Sequence, residues 1–212
     1  MIYDKDIALQ TAQFLLQIKA IKLNSTNPFL WSSGWKSPIY CDNRKILSFP
    51  RIRTYIREQI AKIILEEHPN ADYVAGVATG GIAIGALVAQ QLDKPFVYVR
   101  PPKSHGLKNA IEGVIEENSS VVVVEDLVST GKSSLEVVKV LESEGHKVKG
   151  MISIFDYGFE LAVNNFTAAN CQLYSLSNYN TLLEIALTER HIAPEELHIL
   201  NQWRIEPDKW GK

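Results

Sequence analysis

The segment 121–134, VVVVEDLVSTGKSS, constrains the fold more than any other part of the chain. Its four consecutive valines predict a strand buried on both faces, as strands in parallel sheets are. Two acids, Glu125 and Asp126, follow at once, and the spacers Leu127 and Val128 lead to a turn rich in hydroxyls and glycine. Apolar residues then recur at helical spacing. This order predicts a strand–turn–helix unit whose ligand site lies beyond the carboxyl end of the strand.

The turn after these acids has the chemistry of a phosphate site. Gly131 allows close backbone approach or a positive φ, and the N–H groups at the start of the next helix attract an anion. Hydroxyl donors come from Ser129, Thr130 and Ser133. A Walker A loop is excluded because it needs glycine five residues before Gly131, where this chain has Asp126.

The paired carboxylates need a task of their own because they would repel a phosphate. Binding sugar hydroxyls, directly or through Mg²⁺, is such a task. The alternative is a plain strand-to-helix turn in which Glu125 and Asp126 are solvated.

Composition narrows the class of partner. The chain has 212 residues, 46% hydrophobic and 22% charged, which is typical of a globular protein. A net charge of −2 argues against nucleic acid or an anionic membrane as the main partner. Two distant cysteines, no signal peptide and no long apolar run predict a location in the cytoplasm.

Alternating patterns along the chain predict the remaining elements. Helices are expected at 4–23, 50–67, 82–92, 159–168, around 182–187 and from Pro194 onward. Strands are expected at 73–78, 95–99, 148–155 and, as an edge strand, at 171–176, and residues 114–115 are either a short strand or a loop edge. Strands alternating with helices over 70–155 predict a parallel sheet with right-handed crossovers.

Two further segments could contact an anion. Thr79, Gly80 and Gly81 form a second turn between a strand and a helix, although most Gly-Gly turns are only turns. The segment 100–109, RPPKSHGLKN, combines prolines, a glycine and cations with few apolar anchors, which predicts an exposed mobile loop. It is either a solvated loop or a lid that brings positive charge to a leaving anion.

The segment 29–44 holds four aromatic residues, and Gly34 predicts a hairpin turn with Lys36 just beyond it. In isolation this predicts a surface hairpin with packed tryptophans. Trp203 and Trp210, near the end of the chain, are interpreted as packing residues.

These segments resemble one enzyme family. The segment 121–134 resembles the motif that binds phosphoribosyl pyrophosphate (PRPP) in type I phosphoribosyltransferases. The aromatic segment resembles Phe-x-x-x-Ser-Gly-x-x-Ser-Pro-x-Tyr of orotate phosphoribosyltransferases, and it matches at Phe29, Ser33, Gly34, Ser37, Pro38 and Tyr40.

The loop 100–109 resembles the family's catalytic loop, Arg-Lys-x-x-Lys-x-His-Gly. Lys103, His105 and Gly106 match this pattern in spacing. Arg100, however, lies one residue closer to Lys103 than the family's arginine would, and the residue after Arg100 is not lysine. Either Arg100 takes the family's arginine role through a shorter loop, or it stands where the second cation should be. The resemblance implies that this loop acts across the interface of a homodimer.

The resemblance implies an α/β fold of the type I phosphoribosyltransferase kind. A mainly parallel sheet would be flanked by helices, in one domain spanning 1–212. A small hood would come largely from 1–48 with C-terminal contributions, and the core from about 50–175. The implied reaction transfers phosphoribose from PRPP to orotate in pyrimidine biosynthesis, giving orotidine 5′-monophosphate and pyrophosphate, with Mg²⁺ as cofactor.

The same resemblance implies residue roles. Lys103, His105 and Asp126 would be catalytic, and Ser129 and Tyr157 would contact orotate. Lys36 would contact orotate or, alternatively, the pyrophosphate. No residue is a certain direct ligand of Mg²⁺, although Asp126 is a candidate. PRPP would be bound by Arg100, by Thr79, Gly80 and Gly81, and by Glu125, Asp126, Leu127, Val128, Ser129, Thr130, Gly131, Lys132 and Ser133.

Two rival interpretations stay open at this stage. One is a phosphoribosyltransferase for another base, against which the segment 29–40 argues. The other is a non-catalytic regulator that senses PRPP, against which the net charge and the intact Lys103-x-His105-Gly106 pattern argue.

Overall fold

The computed structural model describes residues 1–31, 34–100 and 110–210. In chain order the elements are α1 Lys5–Gln17, β1 Ile21–Leu23, β2 Phe29–Leu30, β3 Lys36–Ser37, β4 Ile39–Cys41, a 3-10 helix Asn43–Ser48, α2 Pro50–Glu67, β5 Tyr73–Val77, α3 Gly80–Leu92, β6 Phe96–Val99, β7 Ile111–Glu112, β8 Ser120–Val128, α4 Lys132–Ser143, β9 Lys147–Asp156, α5 Glu160–Ala168, β10 Leu173–Asn178, α6 Tyr179–Thr188 and α7 Glu196–Ile205.

Six strands form the central sheet in the order β10-β9-β8-β5-β6-β7. All neighbouring pairs are parallel except β6 with β7. Strand β8, which carries the four valines, lies between β5 and β9, so the segment that dominates the sequence is also in the middle of the sheet. The predicted mainly parallel α/β fold is confirmed.

The valines of β8 divide between two cores. Val122 and Val124 belong to a core with α1, α2, α3 and α6, whereas Val121 and Val123 belong to a second core with α4 and α5. Successive strand side chains point to opposite faces, so a continuous valine run suits a strand covered on both sides. In the part of the chain that the structure describes, no helix is long and apolar enough to cross a membrane.

A smaller layer, here called the hood, lies beside the central sheet. It consists of the antiparallel pair β1–β4 and the hairpin β2–β3. Gly34 lies between the hairpin strands with φ at +84°, a conformation that glycine adopts without steric cost. The predicted hairpin around Gly34 is therefore confirmed.

Two predicted elements need correction. The helix predicted at 4–23 ends at Gln17, because Lys19 takes a positive φ of 54° and Ile21 pairs with Cys41 in the hood, where it is buried. Tertiary pairing overrides helical periodicity there. Of the two alternatives for 114–115, the short strand is wrong and the loop edge is correct, because the strand lies at Ile111–Glu112 and Val114 is exposed.

Candidate active site

The sequence-predicted ligand turns meet at one edge of the sheet. The turn 79–81 follows β5, the turn 129–131 follows β8, and Tyr157 follows β9. These three strands are parallel neighbours, so their carboxyl ends share an edge. The site therefore lies at the position where open α/β sheets bind ligands.

Strand β8 extends through both acids to Val128 instead of ending before them. The side chain of Glu125 is buried; its Oε1 accepts a hydrogen bond from the N–H of Asp126 at 2.9 Å and its Oε2 accepts one from Ser134 Oγ at 2.7 Å. Burial, together with the charge of Asp126, raises the pKa of Glu125 well above its usual range. Glu125 thus lies behind Asp126 as a structural partner, and Ser134 is a site residue that the sequence reading missed.

Asp126 is only partly buried and is the acid that lies nearer to the surface of the site. Burial raises its pKa, while the hydrogen bond with Glu125 and the charge of Arg44 partly oppose the shift. Its main-chain oxygen accepts a 2.6 Å hydrogen bond from Asn43 Nδ2. Asn43 Oδ1 in turn accepts a hydrogen bond from Cys41 Sγ at 3.2 Å. This chain of bonds connects the hood to the tip of β8, and nothing in the sequence singled out Asn43 or Cys41.

The Gly80–Gly81 turn lies directly against the acid pair. A Cβ atom on Gly80 would overlap the carboxylate of Asp126, and one on Gly81 would overlap the main-chain oxygen of Val124. Both glycines are therefore required by close approach, not by turn geometry alone. The start of α3, whose N–H groups favour anions, is adjacent to Asp126.

The turn that ends β8 has the predicted glycine geometry. Gly131 has φ at +76° and precedes the first residue of α4. A Cβ there would come within 2.7 Å of the Phe166 ring, so α5 packs tightly under the turn. Asn165 Nδ2 also donates to the main-chain oxygen of Thr130 at 2.9 Å. The turn is thus packed against and bonded to α5, with Lys132 and Ser133 exposed at the start of α4.

A pocket of 570 Å³ lies between the hood and this turn. Its walls combine residues of the hood, the end of β8 and the tip of β9; they are Leu30, Trp31, Trp35, Tyr40, Cys41, Leu127, Ser129, Thr130 and Tyr157. Ring centroids of Trp31 and Tyr157 are 5.2 Å apart. Such a flat-walled, mainly apolar space suits a planar ring. The predicted residues Leu127, Ser129, Thr130 and Tyr157 thus meet here, and Val128, being buried, can offer only its main chain.

Of the remaining predicted cations, the structure describes Lys36 and Arg100. Lys36 begins the second hairpin strand and is exposed. Arg100 donates to the hydroxyl of Tyr98 at 3.3 Å and lies 3.6 Å from a carboxylate oxygen of Glu112. Lys103 and His105 lie outside the described residues, as does the matched Ser33.

Comparison with known proteins decides the family. The model of the phosphoribosyl transferase domain matches residues 43–179. The orotate phosphoribosyltransferase of Porphyromonas gingivalis is 48% identical over 98% of this chain and 99% of its own length. The chain belongs to the orotate phosphoribosyltransferase family.

Other family members agree over similar lengths. The orotate phosphoribosyltransferase of Cytophaga hutchinsonii is 46% identical over the full length of both chains. The crystal structure of orotate phosphoribosyltransferase from Aeropyrum pernix is 31% identical, with a TM-score of 0.74, and the match covers 82% of this chain and 96% of that one. The resemblance inferred from the segments 29–40 and 121–134 is confirmed, and these relatives give no support to the rival interpretations.

Proposed function

We propose that this chain transfers the 5-phosphoribosyl group from PRPP to orotate, releasing pyrophosphate and forming orotidine 5′-monophosphate for pyrimidine biosynthesis. The observation that carries the proposal is the continuity of the aromatic pocket with the glycine turn of β8. Ser129 and Thr130 belong to both. A base in the pocket would therefore lie next to a sugar phosphate held at the turn, and the named relatives carry this activity in their names.

PRPP spans the three turns in this proposal. The N–H groups of the segment 129–133 bind the 5′-phosphate, with Gly131 allowing the close approach. Asp126 binds the ribose hydroxyls, and Glu125 holds the carboxylate of Asp126 in place. Thr79, Gly80 and Gly81 bind the pyrophosphate beside Asp126. Arg100, Lys103 and His105 supply positive charge to the same group.

Orotate occupies the aromatic pocket. Trp31 and Tyr157, whose rings contact each other, form an aromatic surface against which the pyrimidine ring lies, and Ser129 offers a hydroxyl for its polar edge. Lys36 is the proposed cation for the orotate carboxylate. In this proposal the N1 nitrogen of deprotonated orotate faces the ribose.

The reaction needs no covalent intermediate. The C1–O bond of PRPP breaks and pyrophosphate leaves with the electron pair, while N1 of deprotonated orotate forms the new bond to C1 with its own pair. Positive charge develops on the sugar and negative charge on the leaving group, as in other oxocarbenium-like reactions. The protein's contribution is to position both substrates and to stabilise the leaving charge.

The residues fit the Mg²⁺ ion that the family uses. Among the described residues no group of three or more His, Cys, Asp or Glu could hold a metal. Mg²⁺ is commonly held by one or two carboxylates together with substrate phosphates and water. Asp126 offers one partly accessible carboxylate beside the proposed pyrophosphate turn, whereas both oxygens of Glu125 are already occupied. When bound with PRPP, Mg²⁺ would neutralise charge on the pyrophosphate.

The decisive assay is orotate consumption, followed by ultraviolet absorbance, with PRPP and Mg²⁺. We expect turnover that disappears when PRPP is omitted and when EDTA removes Mg²⁺. Hypoxanthine, adenine and uracil in place of orotate serve as controls for the base. Absence of orotate turnover in a folded protein that binds PRPP would refute the proposal.

We further propose that the chain works as a homodimer in which the loop 100–109 serves the neighbouring site. Lys103→Ala disables the loop and Asp126→Asn disables the pocket, so each variant alone should be nearly inactive. Co-refolding the two should restore one intact site in each heterodimer, about a quarter of wild-type activity if the chains associate at random. If the mixture stays as inactive as its parts, the loop acts within its own subunit. A location in the cytoplasm remains a prediction from the sequence.

A further inference from the structure

The last helix, α7, lies beyond the segment that the family model matches, yet it contacts the walls of the base pocket. Trp203 on α7 is fully buried. The centroid of its ring lies 5.6 Å from that of Trp31 and 5.8 Å from that of Tyr157. Both of these rings line the pocket, whereas Trp203 stands behind them. One side chain thus supports the hood wall and the sheet wall of the pocket together.

The next residue on α7 holds the turn that carries Tyr157. Arg204 donates from Nη2 to the main-chain oxygen of Gly158 at 3.1 Å and from Nη1 to the side chain of Asn180. Gly158 has a positive φ of 65°, and its N–H donates to Asp156 Oδ1 at 2.8 Å. The turn after β9 is therefore bonded on both sides of Tyr157, and Arg204 is its link to α7.

The opposite end of α7 is bonded to the hood. Glu196 accepts a hydrogen bond from Ser25 Oγ at 2.5 Å through Oε1 and one from the N–H of Ala193 at 2.8 Å through Oε2. Ser25 lies between β1 and β2. The helix therefore connects the hood with the tip of β9, and both of these contribute walls to the pocket.

We infer that Trp203 and Arg204 are positioning residues for the pyrimidine ring: they set the spacing of Trp31 and Tyr157 without touching the substrate. The inference rests on the proposed function and adds to it the part of the chain that determines the fit of the base. Trp203 acts by shape, since its Nε1 finds no hydrogen-bond acceptor among the described residues. A ring without that nitrogen should therefore preserve the role in part.

A purely stabilising role makes a different prediction. If Trp203 and Arg204 only stabilise the fold, their replacement should change the affinities for all ligands by the same factor or leave them all unchanged. The turns proposed to bind phosphate follow β5 and β8 and do not belong to α7. Loss of positioning would weaken only ligands that carry the base. Orotidine 5′-monophosphate and ribose 5-phosphate differ by that base, so the pair separates the two roles.

The experiment measures the dissociation constants of both compounds by calorimetry for the wild type and for Trp203→Phe, Trp203→Leu, Arg204→Met and Arg204→Lys. Leu200→Ala is the matched control, because Leu200 is equally buried on the same helix but has no ring to place against Trp31 or Tyr157. We expect Trp203→Leu and Arg204→Met to weaken orotidine 5′-monophosphate about two- to tenfold, the range of one aromatic pair, with smaller losses in the conservative variants. Ribose 5-phosphate and the control should stay within about twofold of wild type.

Several outcomes would overturn the inference. They are unchanged binding of orotidine 5′-monophosphate in the variants, equal losses for both compounds, or an equal loss in Leu200→Ala. If Trp203→Leu does not fold, Arg204→Met and Trp203→Phe decide by the same criteria. Wild-type turnover of orotate is measured in parallel: its absence refutes the proposed function and the inference together, whereas turnover with any of the contrary binding results refutes the inference alone.

Discussion

Gly80 offers a direct test of how closely the turn 79–81 approaches Asp126. Gly80 is the first residue of α3, and its φ is not positive, so alanine can adopt its backbone conformation. A Cβ at this position would overlap the carboxylate carbon and both carboxylate oxygens of Asp126. Gly80→Ala must therefore displace that carboxylate, and we expect a loss of about 1–3 kcal/mol in the free energy of unfolding, as for other overpacked sites.

The sign should reverse when the overlapping atoms are removed. In an Asp126→Ala background the carboxylate is gone, and a compatible Gly→Ala substitution stabilises by about 0.4–1 kcal/mol. The effect of Gly80→Ala should thus differ between the two backgrounds by about 1.5–4 kcal/mol. With a urea dependence of about 2 kcal/mol per molar, the two shifts in unfolding midpoint should differ by about 0.7–2 M.

Gly81→Ala is the matched control for this cycle. Its Cβ would overlap the main-chain oxygen of Val124, which Asp126→Ala leaves in place. It should therefore destabilise by a similar amount in both backgrounds. Urea unfolding of the six proteins, followed by far-ultraviolet circular dichroism, measures each term. If Gly80→Ala costs the same with and without the Asp126 carboxylate, the proposed approach of the turn to the acid is wrong.

Two further predictions concern the same strand end. Because burial and the adjacent charge raise the pKa of Glu125 well above the ordinary 4.5, the unfolded chain loses this proton first as pH rises, and the folded state is destabilised at neutral pH. Glu125→Gln should therefore raise the free energy of unfolding near neutral pH, and urea titrations should show this gain shrinking as the pH is lowered towards about 4. A gain that does not depend on pH would contradict the raised pKa of Glu125. Gly131→Ala places a Cβ on a residue with positive φ and within 2.7 Å of the Phe166 ring, so it should lower the free energy of unfolding by about 1–3 kcal/mol. In initial-rate measurements it should also raise the KM for PRPP more than the KM for orotate. Equal changes in the two KM values would argue against a phosphate role for this turn.

The strand, turn and helix start of the segment 121–134 are predictable because their information is local. The valine run predicts a central strand from composition and period alone, and the glycine at 131 predicts a turn within a few residues of it. The acids, the turn and the helix start are consecutive in the chain, so finding one locates the others. Even here the sequence does not predict that Glu125 is buried behind Asp126. The two acids are adjacent in the chain, and they differ only in the face of β8 on which their side chains lie.

The end of the first helix shows why the hood was harder to predict. Its apolar periodicity continues past Gln17, but Ile21 is more favourably buried as the partner of Cys41 in the β1–β4 pair. That partner is some twenty residues away, and helical periodicity contains no information about it. Local propensity is a weak prior wherever a strand pairing of this kind is available.

The base pocket is the extreme case of this dependence on distant partners. Trp31, Leu127 and Tyr157 come from three separate parts of the chain, and Trp203, which supports two of them, comes from a fourth. These residues are far apart in the sequence, so the sequence alone predicts only a packing role for Trp203. The structure confirms that it packs, but against rings that line the pocket. In the proposed function one contiguous motif binds the sugar phosphate, whereas the inferred fit to the base depends on a helix that follows the matched family segment. We therefore expect substitutions in α7 to change the fit of the base while leaving the segment 121–134 intact.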